Sequence, residues 1–146
     1  MDAFKLENFV QENPGATPPR FAKLSAPESR ELTERLLVNA GQPKGTPQDI
    51  LRKLSSLAKS LDIDISEVET SLLELFWKSG ISPGASLYVQ WGPFRDIDRF
   101  QTDELIRYFY DVWYPGADDI KIFDDSLAWA MFVRHYGGVE VLRLIE

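Results

Sequence analysis

Apolar residues recur at the three- and four-residue spacing of an α-helix through most of the first eighty positions. Helices with this spacing bury one stripe of side chains and leave the opposite face polar. The segment ENPGATPPR interrupts the periodicity with three prolines and one glycine, so a flexible linker is expected at 12–24. The pattern predicts a helical region over 1–80, with helices at about 2–11, 25–41, 46–63 and 66–80.

Capping residues mark the expected starts of two of these helices. Ser25 and Glu28 have the spacing of a capping box, in which each side chain binds the backbone N–H of the other residue. Ser66 and Glu69 repeat this spacing, and Gly80 supplies a stop. The stripe before Gly80 predicts four inward side chains: Leu72, Leu73, Phe76 and Trp77.

The pattern changes to short runs of β-branched and aromatic residues after residue 80. Alternation predicts a strand at SLYVQW (86–91), and a helix stripe follows at about 102–114. Further strands are predicted at IKIF (120–123), SLAWAMFVRH (126–135) and VEVLRLI (139–145). This order predicts an α+β fold. The helical region 1–80 packs with a largely antiparallel sheet plus one helix in 81–146, as one compact unit.

The last two predicted strands flank Gly137 and Gly138. A two-residue type I′ turn needs positive φ at both central positions, which glycine adopts at little cost. In that register His135, the chain's one histidine, faces Glu140 across the strands and has a structural role instead of a catalytic one. One face of the hairpin is then apolar and buried: Trp129, Met131, Val133, Leu142 and Leu144.

Composition narrows the possible chemistry. The 146 residues contain no cysteine, which excludes disulfides, thiolate nucleophiles and zinc–thiolate sites. The N-terminal segment carries Asp2 and Glu7 without the apolar stretch of a secretory signal, and no apolar run approaches the roughly 18 residues of a membrane span. We therefore expect a cytoplasmic protein with no membrane partner.

The net charge of −7 is concentrated in one segment. Residues 96–125 contain nine acids and three bases, for a net charge of −6, whereas residues 1–95 carry −1 and residues 126–146 are neutral. Such a segment is either a solvated surface or a docking surface for a basic protein partner. Because it repels phosphates, nucleic acid is not an expected ligand.

The expected contact residues are carboxylates of this acidic segment that do not cap its helix, together with two aromatic residues in or near it. Trp and Tyr are favoured interface anchors, and 13 of the 18 aromatic residues lie in 88–136. The predicted partner-binding residues are Asp111, Asp118, Asp119, Asp124, Asp125, Tyr114 and Trp91.

Two other functions stay open. Residues 57–76 have the apolar spacing of a helix–turn–helix, although Glu67, Glu69 and Glu74 stand where a DNA-reading helix needs basic or amide side chains. A carboxylate-dependent enzyme is the second, although the sequence contains no nucleophile elbow and no glycine-rich phosphate loop. A calcium loop starting at Asp62 fails because Glu67 stands where that loop needs glycine. We expect neither a metal nor a cofactor.

The C-terminal part contains an ordered series of short motifs: Trp113-Tyr114-Pro115, Asp118-Asp119, Phe123-Asp124, Trp129, and His135 with Gly137. This series resembles the C-terminal part of small, acidic, poorly characterised bacterial proteins, over about a fifth of the chain. Proteins of this general kind include immunity proteins that neutralise toxin domains. The resemblance implies tight binding to one protein partner without catalysis. The expected function is therefore a non-enzymatic, immunity-like interaction protein that binds a basic partner through 96–125.

Overall fold

The computed structural model of the protein describes residues 1–41, 54, 56–92 and 96–144. Within these residues, five helices and seven strands form an α+β fold, as the sequence predicts. The helices are α1 (Ala3–Glu12), α2 (Ala26–Asn39), α3 (Leu72–Ser79), α4 (Thr102–Arg107) and α5 (Phe109–Val112). The strands are β1 (Phe21–Lys23), β2 (Lys59–Asp64), β3 (Ser86–Trp91), β4 (Ile97–Gln101), β5 (Ile120–Asp124), β6 (Trp129–Val133) and β7 (Gly138–Arg143).

The seven strands form one sheet in the order β1-β4-β3-β5-β6-β7-β2, and every neighbouring pair is antiparallel. The edge strands β1 and β2 come from the first eighty residues, where β1 lies in the predicted linker 12–24 and β2 overlaps the end of the predicted helix 46–63. The prediction that this region contains only helices and a flexible linker is therefore wrong. Helix α2 keeps the predicted capping box of Ser25 and Glu28. Half of the helix predicted at 46–63 lies outside the described residues; of the other half, residues 54, 56 and 57 are helical and 59–63 lie in β2.

Residues 57–76 do not form a helix–turn–helix. The alternating residues Leu61 and Ile63 lie in β2, which pairs with β7. Both side chains pack against the hydrophobic core that contains the buried residues of α3. Helix α3 begins after Ser71, whose hydroxyl accepts a hydrogen bond from the Glu74 N–H at 3.1 Å. The predicted cap, Ser66, instead donates to Asp64. Strand pairing therefore overrides the helical spacing, and the prediction of a helix–turn–helix in this segment is wrong.

Two residues of helix α3 that the apolar stripe predicts to be buried point outward instead. The side chains of Leu73 and Trp77 are 59% and 79% exposed, whereas Leu72, Leu75 and Phe76 are buried. The buried face is centred on Leu72, Leu75 and Phe76, so the predicted stripe has the right helical period but is rotated about the helix axis toward Leu73 and Trp77.

Both faces of the sheet are covered. Helices α3, α4 and α5 cover one face, and α2 with Leu54 covers the other. Neighbouring residues in β3 therefore point to opposite faces of the sheet. Leu87 packs in the core beneath α3, α4 and α5, and Tyr88 packs in the core beneath α2. Strands buried on both faces read as continuous apolar runs, and every residue of β5 and β6 is buried.

The C-terminal hairpin is antiparallel as predicted, but its register differs. Val133 pairs with Val139, and Trp129 pairs with Arg143. The loop is longer than two residues, and only Gly137 has a positive φ, of +99°. His135 consequently lies beyond the pairing, and Glu140 binds Arg134 at 3.3 Å instead.

The segment after β3 differs in two further respects. Strand β4, which the sequence pattern does not predict, pairs with both β1 and β3. The helix predicted at about 102–114 is divided at Tyr108 into α4 and α5. The loop that follows α5 carries the Asp118-Asp119 pair to the end of β3, where the Gly92 N–H donates to the Asp119 carbonyl at 3.0 Å.

Candidate functional site

Three of the predicted contact residues meet at one cavity of about 560 Å³. The cavity lies between β1, the end of β3 and the loop that precedes β5. It combines two aromatic walls with a rim of carboxylates. Its lining residues are Met1, Asp2, Phe21, Lys23, Trp91, Gly92, Asp96, Ala117, Asp118 and Asp119. We call this feature the acidic cavity.

A buried ion pair supports the floor of the acidic cavity. Lys5 of α1 is almost fully buried, and its ammonium donates to Asp118 at 2.5 Å and to the Val112 carbonyl at 2.7 Å. Asp118 also accepts from the Tyr114 N–H at 2.8 Å. A carboxylate with these partners is fixed in orientation, so Asp118 contributes mainly to the fold.

Trp91 forms the aromatic wall on the β3 side. Its indole N–H donates to the buried carboxylate of Asp98 at 2.8 Å, and the Met1 ammonium donates to the same oxygen. The Lys5 ammonium lies 4.2 Å from the centre of the Trp91 ring and 4.9 Å from that of Tyr114. These contacts hold the rings in place by cation–π attraction. Trp91 remains partly exposed toward the cavity.

Asp119 is the predicted residue that is most available at the cavity rim. Its side chain is 50% exposed, and it accepts from the His135 N–H at 2.7 Å. The His135 ring nitrogen Nδ1 lies 3.0 Å from the same oxygen. Partial burial alone raises the pKa of Asp119, but the hydrogen bonds and charge of His135 outweigh it, so the pKa lies below its usual value. The carboxylate therefore stays ionised at neutral pH.

The other four predicted residues lie outside the cavity lining. Asp124 is buried and accepts from the Gly84 N–H at 2.9 Å, so it serves the fold. Asp125 is exposed and accepts from the Tyr88 hydroxyl at 2.5 Å. Asp111 lines a separate pocket beside α5, where burial and the nearby charge of Glu12 raise its pKa.

Tyr114 packs behind the cavity against α1. Its ring meets Phe4 edge to face at 5.9 Å, and its hydroxyl accepts from the Asn8 amide at 3.2 Å. These contacts make Tyr114 a support for the ion pair beneath the cavity and not part of its wall.

The acidic cavity suits a cation that also has apolar surface. Four aspartates and one lysine line it. The lysine, Lys23, lies 3.6 Å from Asp96, but both side chains are more than 60% exposed, so this pair holds its partners weakly. Among the described residues, no three His, Asp or Glu side chains gather as metal ligands.

The N-terminal segment and β4 contribute to the acidic cavity, although the sequence pattern does not predict that they do. Met1, Asp2 and Lys5 come from the N-terminal segment. Asp98 lies in β4, and Asp96 directly precedes this strand. A signal for Lys5 exists, because it stands four residues from buried Phe9 on the inner face of α1. A lysine in the apolar stripe of a helix indicates a buried partner.

Comparison with protein-family models, curated proteins and solved structures finds no match for this chain. None of the helices in the described ranges is long and apolar enough to span a bilayer.

Proposed function

We propose that this chain is a non-enzymatic binding protein that docks a basic protein against the acidic cavity. The observation that carries the proposal is the convergence of Trp91, Asp118 and Asp119 with Asp2 and Asp96 around one concavity. Three of the four aspartates have exposed side chains, and only Asp118 is committed to a buried cation.

Electrostatics favours a cationic ligand at this place. The negative potential of clustered carboxylates attracts basic side chains and accelerates their approach. The aromatic rings of Phe21 and Trp91 line the same cavity and can accept the aliphatic part or the flat face of a Lys or Arg side chain. A basic side chain inserted here is the type of central anchor that dominates binding energies in protein complexes.

The immunity-like role is the form of this function that we favour. The motifs that resemble immunity-type proteins include Trp113-Tyr114-Pro115 and Asp118-Asp119, and this loop builds one side of the acidic cavity. An immunity protein acts by binding a toxin domain tightly, so it needs a complementary surface and no catalytic group of its own.

Capture of partners from the native host tests the proposal. The wild-type chain and the variant Asp96→Asn/Asp119→Asn serve as baits. A matched control, Glu31→Gln/Glu34→Gln, removes two exposed carboxylates from α2. We expect mass spectrometry to identify a basic protein that is retained by the wild type and the control and depleted by the cavity variant. Equal retention by all three baits, or a partner that is not basic, would contradict the proposal.

A further inference from the structure

Helix α3 carries an apolar surface that is separate from the acidic cavity. Trp77 is 79% exposed and Leu73 is 59% exposed, one turn apart on the same side of the helix. Val68, in the turn that leads to the helix, is 68% exposed. We call these residues and the charged side chains beside them the α3 surface. It shares no residue with the lining of the acidic cavity.

The charges of the α3 surface are divided between its two ends. Glu67 and Glu69 precede the helix and Glu74 lies in its first turn, whereas Lys78 lies in the last turn. The guanidinium of Arg143 binds the Ser79 carbonyl at 2.7 Å and adds a second positive charge at the C-terminal end. One end is therefore acidic and the other basic, and where the two ends meet Glu74 and Lys78 form a half-exposed ion pair of 3.9 Å within the helix, which is weak enough to leave both charges available to a second copy.

This division makes the α3 surface complementary to itself. A two-fold axis near the middle of the helix makes two copies of α3 run antiparallel. Such an axis places Leu73 against Trp77 of the other copy, and Glu74 against Lys78 of the other copy. Each of these contacts occurs twice, because a two-fold interface repeats every contact. The five charged side chains sum to −1, whereas residues 96–125 carry −6. A second acidic copy is therefore repelled less here than at the acidic cavity.

We propose that the α3 surface binds a second copy of this chain as an antiparallel two-fold dimer. This proposal is independent of the proposed function, since the two surfaces are distinct. The α3 surface contains far fewer residues than the roughly 20–30 that each partner contributes to a standard interface. The dimer is therefore weak and forms in a concentration-dependent manner.

Sedimentation velocity from micromolar to near-millimolar protein tests the proposal. We expect the wild type to change from monomer to dimer over this range, with the emission of Trp77 shifting to the blue. Trp77→Ser should raise the dissociation constant about tenfold or more, because a central tryptophan is lost. Val38→Ser, which removes a 60% exposed apolar side chain from α2, should leave it unchanged.

A charge exchange tests the antiparallel arrangement itself. Glu74→Lys and Lys78→Glu should each weaken the dimer, since each places like charges across the two-fold axis. The double variant Glu74→Lys/Lys78→Glu should restore association, with circular dichroism verifying that each variant is folded. A protein that stays monomeric at all concentrations, a dimer that ignores Trp77→Ser, or a double variant without recovery would overturn the proposal.

Discussion

Lys5 brings a positive charge into the protein interior, where Asp118 and the Val112 carbonyl bind it. Removing one member of a buried ion pair leaves the other charge uncompensated in a medium of low polarity. The partners are 113 positions apart in the chain, so no local pattern could reveal the pair. The structure thus gives Asp118 a role in folding, while its predicted role in partner binding stays a prediction.

Replacing either member of this pair should destabilise the protein. Asp118→Asn or Lys5→Met is expected to lower the free energy of unfolding by about 3 kcal/mol. The double variant should lose less than the sum of the two, because the charges are removed together. Urea unfolding measures these values, with Asp125→Asn as a control that costs about 1 kcal/mol or less. Strictly additive losses would show that the two residues do not depend on each other.

Lys121 is a second buried cation, on the face of the sheet that α2 covers. Its ammonium donates to the Gln90 amide oxygen at 3.2 Å. Burial, with a smaller effect of Arg134, lowers its pKa to about 8. The pKa of lysine in an unfolded chain is about 10.4, so between these two pH values the folded state binds fewer protons than the unfolded state. Stability from this residue therefore rises with pH across that window.

The variant Lys121→Met tests this dependence. Relative to the variant, the wild type should gain about 2–3 kcal/mol in the free energy of unfolding between about pH 7.5 and pH 10. The comparison removes the tyrosine titrations that both proteins share. Lys78→Met, at an exposed position, should show no such trend. A difference between wild type and Lys121→Met that is constant with pH would contradict the assignment.

At the scale of elements, the C-terminal hairpin shows what periodicity can and cannot predict. The strands at 86–91, 120–123 and 126–145 are recognised because β-branched and aromatic residues concentrate there. The register of the hairpin cannot be recognised in the same way, because both faces of β6 are buried and a one-residue shift exposes no apolar side chain. The sequence predicts a helix at 46–63 and not β2, because the short alternation of Leu61, Ile63 and Ile65 with aspartates also fits a helix.

Gly137 holds the hairpin against β2, and its replacement should be costly. Its φ is +99°, and an added Cβ would lie 2.2 Å from the Asp64 carboxylate and 2.7 Å from the Ser66 nitrogen. Gly116 also has a positive φ, of +80°, but nothing lies within 4 Å of its Cβ position. Thermal or urea unfolding should give a loss of about 1–2 kcal/mol for Gly116→Ala from backbone strain alone. Gly137→Ala should cost at least twice as much. Equal losses would contradict the close approach of the loop to Asp64.

Over the molecule as a whole, the acidic side chains include two groups, those bound within the fold and those exposed at the acidic cavity. Composition alone locates the acidic segment, but the fold decides which of its carboxylates remain available. Asp98, Asp118 and Asp124 are bound within the protein, whereas Asp96 and Asp119 are exposed at the acidic cavity. The sequence therefore predicts a basic partner and the region that we propose meets it. The site itself also needs α1 and β4, which only tertiary packing brings to that region.

The association rate of the captured basic partner shows whether the acidic cavity attracts and binds it. It is measured for the wild type, Asp96→Asn/Asp119→Asn and Glu31→Gln/Glu34→Gln at about 0.05 M and about 0.5 M salt, where the Debye length falls from roughly 14 to 4 Å. We predict that salt and the cavity substitutions each slow association about tenfold or more, with the thermal midpoint unchanged, while the α2 control matches the wild type. An association rate that ignores both the salt concentration and the loss of Asp96 and Asp119 would contradict the account.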